Sequence, residues 1–250
     1  MAQVIPEQWQ VPEKFRQRVG TQAGRQRAMI DGGHLLLIVH DVPGTDEMAR
    51  TGRLFWRAPS GEWKASGATQ GSGLNILRKH LESFQAAIHA LDEAVDQNVQ
   101  AGAARPEPFF DVITRATPLL RTTRNLARAL QDARVGIEDK DILSLRDVAC
   151  DLERAIDIVS TDARNALEFS IAKNTEAQAQ QAKLSAQAQH RLNMLAALFF
   201  PVTAIGAILG TELRTGLEGQ GPWAFWLIFV GAFAIGLLVR RQVAKSEQGK

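Results

Sequence analysis

Cysteine, tyrosine and net charge are the scarcest features of this sequence of 250 residues. Cys150 is the single cysteine, which excludes a disulfide framework within the chain and a metal cluster held by cysteines. Tyrosine is absent, and 29 Lys and Arg residues nearly balance 27 Asp and Glu residues. This balance argues against a protein that binds nucleic acid through its overall charge, and against an acidic disordered tail. At 45% hydrophobic residues, the chain still has ample material for a core.

Charge is also missing from two long segments near the C-terminus. No charged residue occurs in the 20 positions from Leu192 to Thr211, or in the 21 positions from Gly219 to Val239. A helix of about 20 apolar residues is long enough to cross a bilayer. The sequence therefore predicts a membrane protein with two C-terminal transmembrane helices, at 192–211 and 223–239, joined by an outer loop at 212–222.

The charges that flank these segments predict their orientation. The N-terminus lacks the apolar region of a secretory signal, so we expect the residues before the first span to stay in the cytoplasm. Basic residues precede the first span and follow the second, whereas Arg214 is the only basic residue of the loop. The positive-inside rule then places both termini in the cytoplasm, and we expect the membrane to be the bacterial inner membrane. The basic flank after the second span comprises Arg240, Arg241 and Lys245.

The chain before the membrane divides into three predicted parts. Residues 1–72 form a small strand-containing α/β subdomain, with apolar or alternating runs at 33–42, 53–58 and 62–66. Residues 73–137 form a helical subdomain, because apolar residues recur there every three or four positions; we expect a break at 101–108 and an interruption or restart at Pro118. Residues 138–191 form a long stalk helix that continues into the first span, and residues 240–250 form a basic cytoplasmic tail. The predicted fold class is α+β.

The stalk helix changes character along its length. Its first half carries an apolar stripe, whereas the Gln/Ala segment, residues 173–189, has Leu184 as its only large apolar residue. Such a helix is marginal alone. It is either a solvated linker or a helix that packs against identical copies through alanine. Two spans cannot enclose a pathway, which favours a homo-oligomer around an axis. The predicted stripe is Leu145, Val148, Leu152, Ile156, Val159 and Ala163.

The stretch Leu195–Leu213, LAALFFPVTAIGAILGTEL, resembles the first span of the CorA-type family of divalent-cation channels. The order of a cytoplasmic α/β domain, a very long helix and two C-terminal spans is also similar to that family. The resemblance implies a pentameric channel through which Mg²⁺ moves passively, without a cofactor. It further implies a pore-facing stripe, in which Phe200 and Leu192 form apolar constrictions. The stripe comprises Leu192, Phe200, Thr203, Ala207, Gly210, Thr211 and Glu212.

The outer mouth is where this sequence departs from that family. Family members have Gly-Met-Asn there, whereas this chain has Gly210-Thr211-Glu212. A ring of glutamates would attract cations and could act as a metal ligand. The departure favours an alternative function, in which a ligand of the cytoplasmic domain opens a poorly selective pore and the protein acts as a membrane effector or signalling protein.

Other charged residues are weaker candidates. Asp147 and Asp151 share a helix face and form a possible regulatory cation site. The simpler interpretation is that the arginines at 121, 124 and 128 form plain ion pairs with Asp147, Asp151, Asp157 and Asp162 of this helix or of a neighbouring copy. The basic segment, which comprises Lys14, Arg16, Arg18, Arg25 and Arg27, is either a phosphate or membrane contact or a solvated face that pairs with acids. The histidines are scattered, and the sequence contains no recognisable motif of a catalytic triad or of a phosphate-binding loop. We therefore predict a protein that is not an enzyme and binds no nucleic acid, with itself and the bilayer as partners.

Overall fold

The computed structural model describes residues 5–20, 22, 24–44, 51–67, 72–102, 105–209 and 222–247. The chain divides into two compact units, Met1–Asn174 and Thr175–Lys250, and the longest helix contributes to both. Within the described ranges the elements are α1 (Glu13–Arg18), β1 (Arg27–Asp31), β2 (His34–His40), β3 (Gly52–Arg57), β4 (Trp63–Ala65), α2 (Gly73–Gln100), α3 (Glu107–Gly136), α4 (Lys140–Leu209) and α5 (Pro222–Glu247).

The four strands form one antiparallel sheet in the order β1-β2-β3-β4. Gly32 and Gly33 connect β1 to β2 with φ angles of 55° and 80°. A two-residue hairpin turn with both φ angles positive matches the twist of the strands, and glycine adopts it without steric cost. This turn sets the register that pairs Asp31 with His34. The strand β1 lies outside the segments that the sequence analysis predicted as strands.

Both faces of the sheet are covered, which explains the uninterrupted apolar sequence of β2. Leu35 and Leu37 belong to the main core with the helices. Leu36 and Ile38 point to the other face, where residues of the N-terminal segment such as Trp9 cover them. The small N-terminal sheet and the long helices that the sequence predicted are therefore both present, and they share one core in the first unit.

The helices α2 and α3 follow the predicted periodicity. Buried residues of α2 recur at three and four positions from Leu77 to Val95. The predicted interruption at Pro118 is wrong, because α3 continues through this proline to Gly136. Proline removes one backbone hydrogen bond. Buried side chains on both sides of it, among them Ala116 and Leu119, hold the helix in place regardless.

The helix α4 begins next to a partly buried ion pair. The main-chain N–H of Asp141 donates to Oδ1 of Asp139 at 2.7 Å, and Nε of Arg57 on β3 donates to Oδ2 of Asp139 at 2.9 Å. Further along α4 the predicted apolar stripe is buried, with one correction. Val148 is 41% exposed and Ala149 takes its place in the core, because position 148 falls at the edge of the helix face that the stripe defines.

The second unit contains the end of α4 and the helix α5. Residues 175–189 of the Gln/Ala segment are exposed throughout. In the described ranges, no helix combines the length and the apolar composition needed to cross a membrane. The two spans predicted at 192–211 and 223–239 are thus not confirmed and stay predictions. The helix α5 continues past residue 239 to Glu247, so part of the predicted basic tail is helical.

Candidate functional site

One face of α4 in the second unit gathers the described members of the predicted pore stripe. Leu192 is 66% exposed and Phe200 is 72% exposed, and Thr203 and Ala207 are exposed as well. Their spacings of eight, three and four residues place them on one side of a helix with 3.6 residues per turn. We call these four residues the exposed α4 face.

The opposite side of α4 packs against α5. Leu198, Pro201 and Ile205 are partly buried there, and Ala232 and Gly236 are buried residues of α5. A Cβ atom at position 236 would lie 2.8 Å from the carbonyl oxygen of Leu198, so the two backbones are in direct contact. Small residues permit such close approach of helices. Because α5 occupies this side, the exposed α4 face is left open for another occupant.

Two residues near Phe200 shape the backbone of α4, Pro201 on the side that faces α5 and Thr203 on the exposed α4 face. Pro201 lies inside the helix and has no N–H, so the carbonyl of Ala197 loses its usual partner. The hydroxyl of Thr203 donates its proton within the helix, to the carbonyl oxygens of Phe199 at 3.1 Å and Phe200 at 3.0 Å. The lone pairs of its oxygen remain as acceptors. Such an oxygen suits the water shell of a hydrated cation, whose protons point outward.

The mouth of the predicted pore lies outside the described residues. Gly210, Thr211 and Glu212 belong to that stretch, so the predicted metal ligand Glu212 stays a prediction. Arg240, Arg241 and Lys245 of the basic flank fall in the last turns of α5, and Arg241 is exposed.

The possible regulatory cation site on α4 is a pair of exposed carboxylates. Asp147 forms an ion pair with the adjacent Arg146, with Nη1 and Oδ1 3.1 Å apart, and Asp151 is exposed one turn away. Among the residues that the structure describes, no three His, Cys, Asp or Glu side chains form a group that would hold a metal ion.

The predicted pairing between α3 and α4 occurs through one arginine. Nε of Arg124 lies 3.1 Å from Oε1 of Glu153, and its Nη2 lies 3.7 Å from Oδ1 of Asp157. Asp157 was among the predicted partners, whereas Glu153 was not. Both contacts are partly exposed, so each contributes about 1 kcal/mol or less to stability.

The basic segment of the N-terminus is engaged with its own surroundings. Lys14 pairs with Asp31 at 3.1 Å, and Nη2 of Arg16 donates to the carbonyl oxygen of Trp9 at 2.7 Å. Nη1 of Arg27 donates to the carbonyl of Arg25 at 3.0 Å. These contacts favour a solvated face whose charged groups bind neighbouring groups of the same chain, and they argue against a phosphate site.

A buried polar cluster at the end of β2 brings together His40 and His80, which are 40 positions apart in the sequence. Nε2 of His80 lies 3.0 Å from the carbonyl oxygen of His40, which can only accept, so this nitrogen carries the proton. Nδ1 of His80 faces Oδ1 of Asp41 at 3.5 Å, and Asp41 in turn pairs with Arg53. Burial lowers the pKa of His80, and attraction to Asp41 offsets only part of this effect. The pKa of His80 therefore lies below the ordinary histidine value of 6.5.

Comparisons with known proteins bear on the fold alone. No protein-family model matches the chain, and no curated protein matches it. The structure of the full-length CmaX protein is similar over 94% of this chain and 82% of that chain, with a TM-score of 0.59 at 12% sequence identity. At this identity the likeness concerns the fold alone, and the chain shares the fold of CmaX over most of its length.

A second solved structure is similar at a lower level. It is the complete structure of the CorA magnesium transporter from Methanocaldococcus jannaschii, which covers 88% of this chain and 78% of its own length at 15% identity. The TM-score of 0.43 is too low to support a conclusion on its own.

Proposed function

We propose that this protein is a subunit of a CorA-like channel that moves divalent cations, with Mg²⁺ as the favoured ion, passively across a membrane. The exposed α4 face carries this proposal. It presents the apolar side chains of Leu192, Phe200 and Ala207 and one hydroxyl oxygen on the side of α4 that α5 leaves open. Leu192 and Phe200 would form dry apolar constrictions along an ion pathway. Thr203, one turn beyond Phe200, would provide a polar binding position.

A second copy of the chain is the occupant that the exposed α4 face requires. One two-helix unit cannot enclose a path, so several copies would surround a common axis with these faces inward, and the family resemblance favours five. Many apolar side chains of α5 are exposed, including Leu227 and Val230, which are 64% and 62% exposed. Exposed apolar surface of this kind marks contact with a partner or a lipid phase. We place both termini in the cytoplasm and the two predicted spans, 192–211 and 223–239, in the bacterial inner membrane.

The alternative is a ligand-gated, poorly selective membrane effector on the same scaffold. This chain has Thr211-Glu212 where CorA-type proteins have Met-Asn, and this difference favours the alternative. A ring of Glu212 carboxylates from several copies would bind cations through charge rather than through an ordered water shell. The proposed channel contains no enzymatic centre.

Ion flux in liposomes that contain only this protein tests the proposal. Mg²⁺ uptake measured with an entrapped indicator, and Na⁺ uptake measured in parallel, should show a flux of Mg²⁺ that protein-free liposomes lack. Flux of both ions at similar rates would favour the alternative, and no flux of either ion without an added ligand would contradict the channel proposal.

A further inference from the structure

A cleft of about 360 Å³ opens between α2 and α3 in the first unit. We call it the α2–α3 cleft. Its walls are residues 42–44, which follow β2, two residues of α2, and five residues of α3 between Asp111 and Leu119. Sites for small molecules have volumes of roughly 300–1,000 Å³. The ion path proposed above uses different residues, on α4, so the function of this cleft is a separate question.

The floor of the α2–α3 cleft is apolar and rigid. Leu91 of α2 and Leu119 of α3 are 2% and 3% exposed and belong to the main core. Ala87 and Val42 are partly buried and pack against the same core. Because the floor is anchored in the core, it is formed before any ligand arrives, which lowers the entropic cost of binding.

The rim of the α2–α3 cleft carries one charge of each sign. Asp111 and Arg115 lie one turn apart on α3, with Oδ2 and Nη1 separated by 3.7 Å, and their side chains are 69% and 45% exposed. An exposed pair at this distance is weak, so a ligand can replace it at little cost.

Thr114 and Pro118 complete the α3 side of the lining. The hydroxyl of Thr114 already donates its proton to the carbonyl of Phe110, at 2.8 Å. The cleft thus offers a cation and an anion one turn of helix apart, beside an apolar floor.

We propose that the α2–α3 cleft binds a zwitterionic α-amino acid with a large apolar side chain. The ligand carboxylate accepts hydrogen bonds from Arg115, its ammonium group donates to Asp111, and its side chain lies on the apolar floor. A ligand with a carboxylate alone would bring a second negative charge next to Asp111. A ligand with an amine alone would bring a second positive charge next to Arg115.

Three probes that share a phenyl ring test this proposal: L-phenylalanine, 3-phenylpropionate and 2-phenylethylamine. Their binding to the full chain in lipid nanodiscs is measured by equilibrium dialysis of the radiolabelled compounds. L-Phenylalanine should bind about fivefold more tightly than either of the others, because each lacks one contact with a partly exposed charged group. No binding of L-phenylalanine, or equal binding of all three probes, would overturn the proposal.

Variants of exposed positions locate the binding on the chain. Arg115→Gln should weaken the binding of L-phenylalanine by about fivefold. Arg121→Gln removes an exposed arginine of the same helix outside the cleft lining and should leave binding unchanged. Ala87→Phe fills the floor and should weaken binding with the far-UV circular dichroism unchanged. If Arg115→Gln and Arg121→Gln bind L-phenylalanine equally well, the cleft is not the site.

Discussion

Gly236 on α5 lies against the carbonyl oxygen of Leu198 on α4, so closely that a Cβ atom at position 236 would stand 2.8 Å from that oxygen. The contact joins backbone to backbone, and relief would require one helix to move. It fixes which side of α4 is covered by α5. The position of the exposed α4 face, and with it the proposed ion path, depends on this contact.

The first prediction concerns this glycine. Gly236→Ala should lower the melting temperature, because overpacking of a tight contact costs about 1–3 kcal/mol. Gly231→Ala is the matched control on the same helix, since a Cβ atom there would meet nothing within 4 Å. Both variants gain the helix propensity of alanine, about 1 kcal/mol. Equal melting temperatures for the two variants would show that the contact is not tight.

The second prediction concerns the start of α4. Asp139→Ala should destabilise the protein by about 2 kcal/mol, because it removes a helix cap and leaves the partly buried Arg57 without its anion. Asp139→Asn keeps an acceptor for the cap and should cost less. Asp132→Ala, an exposed acid of α3, should have little effect. Denaturant unfolding measures all three; a loss for Asp139→Ala no larger than that for Asp132→Ala would contradict this assignment.

The third prediction concerns pH. Burial lowers the pKa of His80 in the folded protein, so below the ordinary histidine pKa of 6.5 the unfolded chain binds the proton more readily than the folded one. The melting temperature should therefore fall as the pH is lowered from 7.5 to 5.5. His80→Gln should reduce this fall in melting temperature. His89→Gln is the control and should not reduce it, because the side chain of His89 is 70% exposed. The same pH dependence in wild type and His80→Gln would show that His80 does not cause it.

Hydrophobic patterning predicted the helices well because their burial is one-sided. The large apolar residues that recur from Leu74 to Val95 in α2 are all buried or partly buried. In the predicted α4 stripe, Val148 alone is exposed. The strand β1 was missed because charged Arg27 and Asp31 stand at its ends and it is only five residues long. The signal was nevertheless present, since Gly32 and Gly33 after a short apolar run are typical of a hairpin turn.

Tertiary contacts explain what patterning could not predict. Pro118 reads as a helix breaker in sequence, but the packing of α3 on both sides of it outweighs one lost hydrogen bond. The meeting of His40 and His80 joins residues 40 positions apart, and no local spacing encodes it. The side of α4 that α5 covers was not predicted either, although the glycine that makes the contact is visible in the sequence.

The fourth prediction concerns assembly. If copies pack through the Gln/Ala segment, Ala182→Trp should weaken the oligomer because small residues there allow the helices to approach. Ala182→Ser keeps a small side chain and should leave the oligomer intact. Cross-linking in mild detergent, read as the largest band of the ladder, measures both; we expect five subunits for the wild type. A monomer in all three proteins, or no difference between the two variants, would contradict packing at this segment.

Mg²⁺ flux through Phe200→Ala liposomes tests most directly the claim that the exposed α4 face lines an ion path. The phenyl ring of Phe200 is 72% exposed, and we expect its removal to wet a dry constriction and raise the passive Mg²⁺ leak several-fold over wild type. Phe233→Ala removes the same ring from α5, where it is 44% exposed, and should leave the leak at the wild-type level. An unchanged leak in Phe200→Ala, or an equal rise in both variants, would contradict the assignment of this face to the ion path.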